Sequence, residues 1–237
     1  GESDLVLRRG TFYLHATANV VEEPEIEAQD VLGVDLGIVN IATDSDGTVY
    51  SGAYLSGLRH RHRRLRQRLQ IKGTRSARRL LKLRRRKEAR FAAATNHALS
   101  KRLVAEAQGT ARAIALEELQ GIHERVSVSR PQRATLHSWA FNQLRRFVAY
   151  KARLVGVSVV YVDPRNTSRT CPACGLVDKR NRPTQAQFRC IGCGLAGHAD
   201  TIAALNVRAR GRGVVVRPHA AGAGSWVETL SGKSRLL

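Results

Sequence analysis

The chain has 237 residues, 43% of them hydrophobic, which is enough to bury an ordinary globular core and excludes a solvated, disordered polymer. Forty lysines and arginines stand against 19 acids, a formal net charge of +21, and a field of that sign selects a polyanion as partner. No apolar run approaches the roughly 18 residues a spanning helix needs, and no signal peptide heads the chain, so nucleic acid is preferred over a membrane surface and a soluble, intracellular protein is expected.

Gly1 comes first and methionine is absent, so the sequence reads as a piece of a longer protein. Residues 4–19, DLVLRRGTFYLHATAN, predict two short strands about an Arg-Arg-Gly turn, followed by an acidic, Pro-containing connector, VEEPEIEAQD. From Val31 three strands follow at hairpin spacing: VLGVDLG, VNIATDS and TVYSGAYL. Asp46-Gly47 turns the last two, so an antiparallel meander is expected. Between Ser56 and Gln108 the apolar period becomes helical. Leu58, Leu65 and Leu69 share one face, Lys72-Gly73-Thr74 breaks the pattern, and Leu80, Leu83, Phe91, Ala94, Ala98 and Leu103 define a second, longer helix.

Those two helices carry the charge. Between Arg59 and Arg90 there are sixteen lysines and arginines and one acid, Glu88. Ordinary solvated faces mix signs, and one sign over so many turns repels itself unless an anion lies alongside. Contact with backbone phosphates through Arg59, Arg63, Arg66, Arg75, Arg78, Arg79, Arg85 and Arg86 is therefore expected, with binding that weakens steeply as salt rises. ARAIALEEL (111–119) predicts a fourth strand ending in two glutamates. HSWAFNQLRRFVAYKARLVG (137–156) predicts an amphipathic helix with Trp139, Leu144, Phe147 and Leu154 near one side, and VSVVYVDP a fifth strand. HADTIAALNVRARG (198–211) predicts a last helix with Asp200 in its first turn and Gly211 as its stop, leaving 212–237 as a loosely docked tail.

The cysteines fall as Cys171-x2-Cys174 and Cys190-x2-Cys193, each knuckle followed by glycine (CPACG and CIGCG). That spacing matches a tetrahedral four-thiolate zinc site, and two disulfides or free thiols are the less fitting alternatives for an intracellular chain. Four protein ligands leave no open position, so the zinc is expected to be structural.

The carboxylates raise a different question. Asp35 ends an apolar strand, Glu117 and Glu118 end another, and Asp200 opens a helix. Each has a local explanation, as a turn residue, a solvated strand end or an acid favoured by the helix dipole. Brought together, they are the ingredients of an RNase H-like active site, in which two Mg²⁺ or Mn²⁺ ions bound by shared carboxylates neutralise charge on both sides of a phosphodiester.

GVDLGIVNIAT, ATNHALSKRLVAEA, IALEELQGI, DPRNTSRTCPACG and CGLAGHADTIAALNV, in this order, resemble the RuvC-type nuclease region of the TnpB (OrfB) family, RNA-guided endonucleases of insertion sequences related to type V CRISPR effectors. The resemblance runs from about Leu5 to Val207. It implies that Asp35, Glu117 and Asp200 are the metal-binding acids, choosing Glu117 over Glu118, and that the cysteine module is a zinc ribbon inserted before the helix of Asp200.

It also implies an α/β fold with an RNase H-like mixed sheet and flanking helices. The expected organisation is a remnant hairpin of an upstream β-barrel and connector (1–30), a nuclease core (31–166) with inserted basic helices (56–108), a ribbon (167–197), the last helix (198–211) and the tail (212–237). Two departures stand out. Ile202 occupies a position where the family often has asparagine, with Asn206 a turn later, and the N-terminal half through which family members bind guide RNA and target DNA is largely missing. The implied function is two-metal hydrolysis of DNA in the bacterial or archaeal cytosol, near the nucleoid. The alternatives are a nuclease-silent RNA-guided repressor or transposition accessory, which three intact acids disfavour, and a guide-independent resolvase-like nuclease. Asn166, Thr167 and Ser168 are suited either to substrate contact or to local capping.

Overall fold

The structure, a computed structural model, describes residues 2–8, 10–37, 39–118 and 141–215, with the backbone alone for Leu55, Ser56, Arg59 and Arg86. Strands β1 (Ser3–Arg8) and β2 (Thr11–Ala16) form a separate antiparallel pair. Leu5 faces Leu14 and Leu7 faces Phe12 across that ladder, and all four side chains are exposed. The acidic connector then returns along the body of the protein, where Glu22 pairs with Arg153 at 2.7 Å and the Ile26 amide donates to the Gly156 carbonyl at 2.7 Å.

The central sheet has the order β5-β4-β3-β6-β7, built from β3 (Asp30–Asp35), β4 (Asn40–Asp44), β5 (Val49–Ser51), β6 (Arg112–Glu117) and β7 (Val159–Val162). β3, β4 and β5 pair antiparallel, whereas β6 lies parallel to β3 and β7 parallel to β6. β3 and β6 are central and covered on both faces, which is why they read as near-continuous apolar runs instead of alternating. On one face Leu32, Val34, Ile114 and Leu116 meet Leu99, Leu103, Val104 and Ala107 of α2 (Arg75–Gly109) and Leu144, Val148 and Ala152 of α3 (Phe141–Leu154). On the other, Val31, Ala113 and Ala115 meet Val207 of α4 (Ala199–Val215).

Two sequence expectations are corrected. The third strand stops at Ser51, and Ala53-Tyr54-Leu55 belongs to α1 (Ala53–Lys72), because Gly52 ends the ladder and begins the helix. Gly211 does not stop the last helix, which continues to Val215: a Cβ there would lie 2.6 Å from the Ala115 Cβ and 2.9 Å from Val31 Cγ1, so the glycine lets helix and sheet touch. The second, longer helix that Leu80, Leu83, Phe91, Ala94, Ala98 and Leu103 define is present as α2, with Leu80 and Leu83 40% and 53% exposed. The predicted break between the two helices is present. Gly73 takes the left-handed conformation (φ 62°) and donates to the Leu69 carbonyl, and Thr74 caps α2 by accepting from the Ala77 amide at 3.3 Å. Trp139 and residues 216–237 of the expected tail lie outside the described residues. Among the described residues no helix is long and apolar enough to cross a membrane.

Candidate active site

Strand register decides which acids meet. Val34 of β3 pairs with Leu116 of β6 on the face covered by α2 and α3, so the next residue of each strand, Asp35 and Glu117, turns to the face covered by α4. Glu118 must then point the other way. There Arg145 of α3 holds it with paired bonds of 2.7 and 2.8 Å, its guanidinium stacked 4.2 Å above the Tyr161 ring. The first turn of α4 delivers Asp200 to the same side, so that acids spread over more than half the chain lie close enough for the charges of Glu117 and Asp200 to act on Asp35. The main reason is the close crossing of α4 over β3 at Gly33, whose position admits no side chain.

Each acid is held differently. Glu117 is 6% exposed and accepts a 2.7 Å hydrogen bond from the Thr167 hydroxyl. Thr167 is itself fixed, because its carbonyl and that of Thr170 both accept from the Asn206 side-chain amide at 2.7 Å. Asn166, at φ 60°, makes the left-handed turn that aims Thr167. Of the three small residues flagged before the first knuckle, Thr167 touches an acid and Asn166 shapes the loop. Asp200 accepts from Asn40 at 2.9 Å and faces the Arg182 guanidinium at 3.8 Å. Asp35 is only partly exposed, yet among the described residues no group donates a hydrogen bond to its carboxylate.

This crowding shifts protonation. Burial raises the Asp35 carboxyl well above the usual range, the charges of Glu117 and Asp200 raise it further, and Arg182 opposes them in part. Burial also raises Glu117 to about 7, against the lowering effects of the Thr167 hydrogen bond and of Arg210 and Arg182. Hard, mutually repelling oxygens with an acid that lacks a donor are a donor set that divalent cations such as Mg²⁺ or Mn²⁺ satisfy. Arg182, Asn40 and Arg210 were not singled out by sequence reasoning. With 40 lysines and arginines in the chain, no local signal separates Arg182 or Arg210 from the rest.

The cysteines form a tighter cluster. All four Sγ atoms lie within 4.8 Å of one another, the one such group of potential ligands among the described residues. Cys171–Cys193 and Cys174–Cys190 are each 3.5 Å apart at sulfur, too far for disulfides and close to the roughly 3.8 Å edge of a tetrahedron with 2.3 Å zinc–sulfur bonds. The thiols therefore fit a zinc ion. Asn181, with no exposed surface, ties the module together: its amide donates to the carbonyls of Arg169 and Leu176 at 2.9 and 3.0 Å, and its oxygen accepts from the Ile191 amide between the second pair of cysteines. Arg182 follows directly. Ile202 packs with Cys171, Phe188, Cys190 and Ala199 in the small core between ribbon and α4, which accounts for an apolar residue at that position.

On α1 and α2, Arg63, Arg66, Arg75, Arg78, Arg79 and Arg85 are exposed, while the side chains of Arg59 and Arg86 are outside the description. Glu88 bridges the hairpin, pairing with Arg66 and lying 3.3 Å from His62. The other five exposed arginines face solvent.

The mixed α/β architecture is similar in fold to that of Cas12f proteins. Two cryo-EM structures overlay it: a Cas12f1–sgRNA–target DNA complex with TM-score 0.59 over 86% of this chain and 55% of that one, and a Cas12f ternary complex with TM-score 0.62 over 83% and 41%, both at 17% identity. A family described as probable transposase (OrfB) matches residues 15–120, and a Cas12f1-like TNB domain family matches residues 141–207. The endodeoxyribonuclease Cas12f1 of Sulfoacidibacillus thermotolerans is 36% identical over 125 residues, 51% of this chain and 28% of that protein. A TnpB-like protein of Methanocaldococcus jannaschii is 37% identical over 112 residues, 47% and 40% of the two. The chain is similar to the TnpB (OrfB) family over these stretches, and it spans less than half the length of these two curated relatives.

Proposed function

We propose that this chain is the nuclease region of a TnpB-like, RNA-guided DNA endonuclease, and that Asp35, Glu117 and Asp200 hold two divalent cations for hydrolysis of DNA phosphodiesters. The observation that carries the reading is the convergence of the three acids on the α4 face of the sheet. Three antiparallel strands followed by two parallel ones, with helices on both faces, suit an RNase H-like scaffold.

When bound, Mg²⁺ or Mn²⁺ supplies charge neutralisation at the attacking and leaving oxygens. The protein's own groups do the positioning. Thr167 fixes the Glu117 carboxylate, Asn40 fixes Asp200, and Arg182, reaching in from the ribbon, adds a positive charge beside all three acids. Cys171, Cys174, Cys190 and Cys193 hold a structural zinc. The exposed arginines of α1 and α2 contact phosphates of DNA or of a guide–target duplex without reading bases; sequence is read by guide RNA pairing. The cytosol near the nucleoid is the setting that fits.

The test is Mg²⁺- or Mn²⁺-dependent cleavage of single-stranded DNA by the intact chain and by Asp35→Ala. Cleavage lost with Asp35→Ala is expected; cleavage unchanged would show that the catalytic centre lies elsewhere.

A further inference from the structure

Thr43 lies directly across the β3–β4 ladder from Asp35. Directly opposed residues of an antiparallel pair point to the same face, with Cβ atoms about 5 Å apart. The Thr43 side chain therefore shares the α4 side of the sheet with the Asp35 carboxylate. It is 1% exposed, and its hydroxyl has no hydrogen-bond partner among the described residues.

A buried hydroxyl left unpaired is costly, and valine, its apolar isostere, would fill the same space without that cost. The neighbour across the ladder has the complementary deficit: Asp35 is an acceptor without a donor. The hydroxyl and carboxylate share a face and are not directly bonded, so a water is the group that could link them.

We propose that Thr43 is a positioning residue for the divalent-cation site, donating its hydroxyl hydrogen to a water beside the Asp35 carboxylate and so fixing the oxygen that faces the cation. The proposal rests on the reading of Asp35 as a cation ligand. Thr43 touches neither DNA nor the reacting phosphate; it acts through Asp35. Partners of this outer kind are worth about 10-fold or more in metal affinity.

The test uses the full, zinc-loaded chain with Mn²⁺ alone as probe, titrated by calorimetry into the parent, Thr43→Val, Thr43→Ser and Asp35→Asn, with thermal midpoints measured before Mn²⁺ is added. The expected result is about 10-fold weaker Mn²⁺ binding for Thr43→Val, recovery for Thr43→Ser, and a midpoint for Thr43→Val no lower than the parent's. Parent-like binding by Thr43→Val, together with loss in Asp35→Asn, would overturn the Thr43 assignment alone. Unchanged binding by Asp35→Asn would overturn the cation site itself. A lowered midpoint in Thr43→Val with unchanged Mn²⁺ affinity would mark Thr43 as a packing residue and overturn the proposal.

Discussion

Replacing Gly33 with alanine adds one methyl group at the point where β3 and α4 are closest. That Cβ would fall on the Ala204 carbonyl oxygen and the Arg208 amide, and 2.8 Å from the Arg208 Cα. All three are backbone atoms of a continuous helix, so no side-chain rotation relieves the overlap. Ordinary carbon–carbon contact lies near 3.5–4.0 Å, so α4 must withdraw by about 1 Å along a stretch that also packs Val207 against the sheet. Overpacking of this kind costs about 3 kcal/mol or more, a large share of a typical total of about 5–15 kcal/mol, and lowers the thermal midpoint by roughly 6–12 °C for a chain of this size.

The same displacement carries Asp200, one turn before Ala204, away from Asp35, so cleavage should fall further than stability alone explains. Gly213→Ala, later on α4 where an added Cβ meets nothing within 4 Å, is the control and should stabilise by up to about 1 kcal/mol through helix propensity. Thermal and chemical denaturation of the two variants measures both effects. A Gly33→Ala chain as stable as the parent would refute the close β3–α4 crossing and, with it, the route by which Asp200 reaches the other acids.

Two further outcomes follow from the site. With Glu117 raised to about 7, the folded chain retains a proton that the unfolded chain releases from about pH 4.5 upward, so without divalent cations stability should fall as pH rises through that window. Glu117→Gln should flatten the dependence, measured by urea unfolding between pH 5 and 8; a parent whose stability rises over this range would contradict the burial argument. Asn181→Ala strands two carbonyls and one amide inside the ribbon at a cost of roughly 3 kcal/mol or more. Its zinc should pass to a chromophoric chelator faster than the parent's, and an unchanged release rate would mean that the knuckles hold each other without Asn181.

Parts of this molecule were legible because they depend on short-range rules. The Gly73-Thr74 break, the Asp46-Gly47 turn and the apolar runs of β3 and β6 each follow from local propensity or burial pattern. The cysteine spacing exposed a metal module for the same reason: ligands of one small site lie close along the chain. Leu80 and Leu83 marked the helix correctly yet are exposed, because helical periodicity records which residues share a face, not whether anything covers it. Gly211 misled because a helix-ending glycine and a glycine that permits close packing are identical in one dimension.

Asp35, Glu117 and Asp200 stand between these cases. The sequence alone made them candidates, and family resemblance linked them. Only tertiary structure decided that Glu117 turns toward α4 while Glu118 meets Arg145, because a one-residue step along a strand reverses its face. It alone brought Arg182 beside the acids and left the Thr43 hydroxyl, opposite Asp35, without a hydrogen-bond partner among the described residues. Composition and local pattern determine which chemistry a chain carries and where its elements begin and end; which side chains share a space is set by strand register and helix packing between residues far apart in sequence.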